Sequence, residues 1–138
     1  MLRAWAYWIP AAVIMAGIAF LSHQSNLPYV VGIFPDWLLH ALEFGVLALA
    51  CLYGASRGFD RRYRSPGAAI LAMSIAIVYG ALDELHQSFV PGRSVSLSDW
   101  IADSVGALLA VSVLVLILSR SEKEGRSGRS RPDAEEGQ

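Results

Sequence analysis

Apolar residues run through this chain in four long blocks separated by short polar stretches. The blocks cover about residues 5–21, 36–55, 66–89 and 98–118. Each is near the roughly 20 residues that a helix needs to cross a bilayer. The punctuation agrees with helices. Pro35 and Pro66 stand at the starts of the second and third blocks, and Pro91-Gly92 follows the third, as helix-start and helix-stop residues do. Ser96 or Ser98 is placed to cap the fourth, with Asp99 in its first turn. Pro10 lies inside the first block and is tolerable there because neighbouring groups can satisfy the freed carbonyl. No internal repeat is present. The pattern predicts an all-α polytopic membrane protein, a bundle of four transmembrane helices over residues 1–120. Residues 121–138, rich in Ser, Gly, Arg and Glu, carry no apolar periodicity and are expected to form a disordered tail.

Composition sharpens this reading. Of the 138 residues, 54% are hydrophobic and only 17% charged, against about 25% charged in a soluble domain; mean hydropathy is +0.44. A water-soluble enzyme, a DNA-binding module and a disordered chain are excluded, and no nucleic-acid partner is expected. The N-terminal block runs from about Trp5 to Leu21, longer than the apolar core of a secretory signal, and is followed by Ser22-His23-Gln24-Ser25, without a small-x-small cleavage pattern, so it reads as a retained helix. The single cysteine, Cys51, sits in an apolar run and reads as packing rather than as a reactive thiol.

The net charge of −1 hides an uneven distribution. Arg3, then Arg57, Arg61, Arg62 and Arg64, then Arg120, Lys123, Arg126, Arg129 and Arg131 alternate with the spans so that all ten fall on one side, leaving Arg93 alone on the other. The positive-inside rule predicts cytoplasmic termini, a cytoplasmic arginine loop and a multi-pass protein of the cytoplasmic membrane. Membrane lipids are then its first partners, anionic ones at the arginine loop. Trp37 and Trp100 are expected at the outer interface, Trp5 and Trp8 at the inner one.

With that orientation, the polar residues of the spans gather at the outer end. Asp36, His40 and Glu43 recur at i, i+4 and i+7 on one face of the second helix. Asp83, Glu84, His86 and Gln87 end the third, and Asp99 and Asp103 begin the fourth. Asp36 and Asp99 read as hydrated interfacial residues. Glu43, about 10 Å deeper at 1.5 Å per residue, Glu84 and Asp103 read as functional, because carboxylates within a membrane are costly unless they face a partner or a wet cavity. The competing reading is a polar network that merely locks the helices together. Small residues at Ala72, Ala76 and Gly80, and at Gly106 and Ala110, predict close helix approach on the same faces. Arg93 is expected to lie over this acidic mouth with Glu84 or Asp99 as its partner. The candidate pocket comprises His40, Glu43, Asp83, Glu84, His86, Gln87, Arg93, Asp99 and Asp103.

These residues resemble a known family. Asp83-Glu84-Leu85-His86-Gln87, then Pro91-Gly92-Arg93, then Asp99 to Asp103 and Gly106 look like the VanZ-like signature D-E-x-x-Q, P-x-R, D-x-x-x-[ND]-x-x-G. Ser22 to Ser25 and Asp36 to Phe44 fit its first two helices. The resemblance covers about residues 10–115. Trp37 stands where many relatives carry Lys, and Asp103 where they commonly carry Asn, so this version of the site is more acidic. The resemblance implies an envelope protein associated with resistance to the glycopeptide teicoplanin, with no catalytic mechanism to carry over.

Three functions fit the residues. The first is an envelope protein that alters how a glycopeptide antibiotic or a lipid-linked wall precursor behaves at the outer leaflet. The second is a membrane enzyme acting on a lipid-linked substrate, assisted by a divalent metal at His40, Glu43, Glu84 or His86; the lack of a tight ligand spacing makes this metal signal weak, and no cofactor is assigned. The third is a proton- or cation-coupled transporter, which four short helices would build only as an oligomer.

Overall fold

The computed structural model of the protein describes residues 3–24, 34–62 and 64–129, with the last five of these as backbone only. The described residues form four α-helices and no strand. A 3-10 turn at Ala4–Trp8 leads into α1 (Ile9–Ser22), followed by α2 (Asp36–Ala55), α3 (Pro66–Gln87) and α4 (Leu97–Arg129). All four are long and apolar enough to span a membrane, α1 together with its leading turn.

Local chemistry sets most of the ends. Pro10 falls in the first turn of α1 rather than in its interior, where its missing N–H has no intrahelical partner to lose. Ser65 Oγ accepts the Ala68 N–H at 3.2 Å to cap α3, and Ser96 Oγ accepts the Asp99 N–H at 3.2 Å to cap α4. α3 stops at Gln87, two residues before the expected Phe89, because the next residues form a hydrogen-bonded turn that carries Val90 into the interior.

α4 departs furthest from expectation. It continues as helix to Arg129, through residues 121–129 that composition assigns to a disordered tail. Residues 130–138 lie outside the described residues. The cause is long-range: Glu122 pairs with Arg61 Nη2 at 3.3 Å and with Arg64 of the α2–α3 loop. Such half-exposed pairs contribute only about 0.2–1 kcal/mol, and Gly125 and Gly128 disfavour helix, but no proline interrupts the segment before Pro132. At 33 residues and about 1.5 Å per residue, α4 is about 50 Å long and outruns a hydrocarbon core of about 30 Å.

α2 is the central helix and packs on α1, α3 and α4. The interior is narrow and built largely from Phe44, Leu47, Cys51, Leu52, Ala72, Ala76, Ala107 and Val111. Small residues permit this. A Cβ on Gly106 would lie 2.0 Å from Ala41 O, and one on Gly45 would lie 3.3 Å from Gly106 O, so α2 and α4 touch backbone to backbone. Trp8 covers Gly54 in the same way, with ring atoms 2.7 Å from where a Cβ would stand. Meanwhile Val13, Phe20, Ile70, Val78, Leu109 and Leu116 lie on the outside, each about half exposed or more. Polar residues within and bulky apolar residues without is the arrangement suited to lipid rather than water. The chain is a multi-pass membrane protein.

Candidate functional site

The interior polar residues cluster at the end of the bundle formed by the start of α2, the end of α3 and the start of α4. The arginine loop is at the other end. His40 of α2 is the hub. Its Nδ1 lies 3.0 Å from Asp103 Oδ1, and its Nε2 lies 4.0 Å from Asp99 Oδ2. Asp103 is wholly buried. It fits because Gly80 of α3 faces it: a Cβ at Gly80 would be 3.0 Å from Asp103 Oδ2.

Glu84, one turn beyond Gly80, uses one oxygen to hold the α3–α4 loop: its Oε2 accepts the Ser96 N–H at 2.6 Å. Its other oxygen, Oε1, and Asp103 Oδ2 are buried without a hydrogen-bond partner among the described residues. Beside this centre, Asp83 Oδ2 accepts from Ser22 Oγ at 2.8 Å and from Gln87 Nε2 at 2.9 Å, tying α1 to α3. Tyr79, one turn earlier, donates to Met15 O at 2.7 Å. Trp100 is more than an interfacial anchor, since its Nε1 donates to Ile77 O on α3 at 3.1 Å.

A histidine between carboxylates can hold a proton or a cation. The chain's one thiol is remote from it, since Cys51 lies 11 residues further along α2, about 16 Å away at 1.5 Å per residue.

A family model described as VanZ/LLP1 matches residues 8–118. The chain belongs to the VanZ/LLP1 family. No curated protein and no solved structure matches it. In this VanZ/LLP1 chain the signature residues divide the work: Asp83 accepts from Ser22 and from Gln87, Glu84 holds Ser96, and Gly106 admits the backbone of Ala41.

Of the residues predicted for the pocket, His40, Glu84, Asp99 and Asp103 come together, with Asp83 and Gln87 alongside. Glu43 is half-buried and has no hydrogen-bond partner among the described residues. His86 is exposed and stacks on His23, ring centroids 5.6 Å apart. It is not in reach of His40 as a common metal ligand, so of the residues considered for a metal only His40 and Glu84 are in the centre, and Asp103 joins them.

Arg93 also departs from expectation. Its Nε donates to Gln24 O at 3.3 Å and forms no ion pair with Glu84 or Asp99. The carbonyl-rich end of α1 attracts a cation. Arg93→Ala is therefore expected to lower stability by about 0.5–1.5 kcal/mol, as for an ordinary hydrogen bond, and to leave the His40 ring environment unchanged. Melting curves and imidazole NMR shifts of the variant would check this; a displaced His40 signal would return Arg93 to the site.

Proposed function

We propose that this VanZ/LLP1 protein acts at the outer face of the cytoplasmic membrane, where it changes how a lipid-linked wall precursor, or the glycopeptide teicoplanin that meets it there, behaves. The observation that carries this reading is the convergence of polar side chains from all four helices at one end, opposite the arginine loop. The positive-inside rule puts the arginine end in the cytoplasm, so the His40–Asp103 centre faces outward.

The shape of the bundle favours an amphiphile. A groove of about 880 Å³ runs between α2 and α4, from Trp37 and Ser98 past Ala41 and Gly45 towards Ile117. Apart from Ser98 its lining is apolar, which suits the acyl chain of a lipid-linked molecule. A transporter is less well supported, because Ser56 is the only polar side chain buried at the arginine end among the described residues. A metal-assisted enzyme acting on the same lipid-linked substrates is the second reading, favoured by the two unpartnered carboxylate oxygens.

The test is a glycopeptide susceptibility assay in cells expressing equal amounts of the wild type, His40→Ala or Glu84→Ala. The wild type should lower susceptibility, and each variant should return it to the level of the empty vector. A reporter fused after Arg120 should be active only in its cytoplasmic form. No effect of the wild type on susceptibility would overturn the envelope role, and periplasmic reporter activity would overturn the orientation.

A further inference from the structure

Glu84 Oε1 and Asp103 Oδ2 are the two buried side-chain oxygens without a partner among the described residues. Glu84 is 4% exposed and Asp103 0%. An unsatisfied buried acceptor costs about 1–3 kcal/mol, and a network that served only to join helices would satisfy both. Their placement is more specific than a cluster of acids. Donor atoms of His40, Glu84 and Asp103 all lie within 4.8 Å of one another, one each from α2, α3 and α4. Asp103 Oδ2 is pressed against α3 at Gly80, on the stretch that presents Glu84 one turn later.

The neighbouring groups are otherwise engaged. Asp83 is bonded to Ser22 and Gln87, and Arg93, the lone basic residue of that end by sequence, is turned to Gln24. The positive charge that this set of acids calls for does not come from an arginine or lysine of this end.

We propose that His40, Glu84 and Asp103 form a binding site for one divalent first-row metal ion of the Zn²⁺ or Mn²⁺ class. One imidazole and two carboxylates is a mixed nitrogen–oxygen donor set. Imidazole selects against Ca²⁺ and Mg²⁺, which take oxygen ligands, and the absence of thiolate selects against Cu⁺. Small movements of three side chains would bring donors now within 4.8 Å to metal–ligand distances of about 2.0–2.2 Å. Asp99, 4.0 Å from His40 Nε2, stands where an outer carboxylate orients the imidazole. Asp36, His40 and Asp99 make a second set within the same limit, but Asp36 is exposed, Asp99 is half-buried, and neither has an orphaned buried oxygen. The inner set is therefore the site. This goes beyond the envelope role, which does not require a metal.

The experiment uses the full-length protein in detergent, stripped with EDTA, then titrated with Zn²⁺ or Mn²⁺ by calorimetry and assayed for bound metal by mass spectrometry after gel filtration. Wild type should retain one ion per chain and melt at a higher temperature when loaded. Glu84→Gln and Asp103→Asn should each bind at least about tenfold more weakly, no less than the loss of an outer-shell partner causes. His86→Ala, which removes the exposed His23–His86 pair as an adventitious zinc site, should bind as the wild type does. Two carboxylate variants are used so that one folded variant suffices, judged by its gel-filtration profile and helical content. A wild type that takes up neither ion, folded carboxylate variants that bind as tightly as the wild type, or binding lost only in His86→Ala would each overturn the site. A protein that binds no metal yet still lowers glycopeptide susceptibility would overturn this inference alone.

Discussion

Gly106→Val should prevent the bundle from assembling, while Gly17→Ala should leave it intact or slightly more stable. A Cβ at residue 106 would stand 2.0 Å from Ala41 O, 2.6 Å from Ala41 C and 2.7 Å from Ala41 Cα. All three are backbone atoms of a helix, so no rotamer change can relieve the contact. Ordinary overpacking costs about 1–3 kcal/mol because side chains shift; here α2 and α4 must separate. The loss should exceed about 4 kcal/mol, the range reserved for a few severe mechanisms. Gly45 lies in the same crossing, with Ala110 Cβ 3.4 Å from its own would-be Cβ, so the separation would propagate along the interface. It would also draw His40, the neighbour of Ala41, away from Asp103, one turn before Gly106. At Gly17 the space is open, with nothing within 4 Å of where a methyl group would stand, and glycine to alanine in a helix is favourable by up to about 1 kcal/mol. Thermal melts and gel filtration of both variants in detergent would check the pair. A Gly106→Val protein that elutes and melts like the wild type would refute the close crossing.

Asp103→Ala should be the most damaging substitution among the polar residues, at about 3–5 kcal/mol, because removing one member of a buried pair leaves its partner uncompensated. His40 would lose its 3.0 Å contact inside an apolar bundle. The double variant His40→Leu/Asp103→Val should recover most of this stability, since replacing a whole buried pair by apolar side chains of similar size is often neutral or stabilising. It should not recover the effect on glycopeptide susceptibility. The comparison, made by melting the proteins without added metal, separates stability from function. If the double variant regains both, the pair is only a structural lock. If Asp103→Ala melts like the wild type, the pair does not exist as described.

Helical phase bears on one candidate, His86, and is silent on another, Arg93. Ala76, Gly80, Asp83, Glu84 and Gln87 share the inward face of α3. His86 follows Gly80 by six positions and Asp83 by three, about 240° and 300° around a helix of 3.6 residues per turn, which places it next to Asp83 at the edge of that face. The small-residue stripe therefore already carried the signal that His86 lies off the centre of the inward face. Nothing comparable marked Arg93. Its charge drew it towards the acids in any sequence-based reading, and only the loop geometry, with Gln24 O within reach, sends it elsewhere.

What the sequence determined by itself was the number of helices, their approximate limits and the faces that carry acids. A bilayer forces these to be local properties: every backbone group must be satisfied within its own helix, so length, hydropathy and proline position suffice, as they do for Asp36–Ala55. The periodicity of Asp36, His40 and Glu43, and of Asp99 and Asp103, likewise needs no partner to be read. Only the tertiary structure decided which acid meets which base. His40 and Asp103 are 63 residues apart, and their meeting depends on a helix crossing set by Gly45 and Gly106. The same holds for Ser22 with Asp83, and for the extension of α4 against Arg61 and Arg64. Periodicity specifies a direction around one helix axis; it carries no information on the rotation and depth of the neighbouring helix, and contacts between helices depend on both.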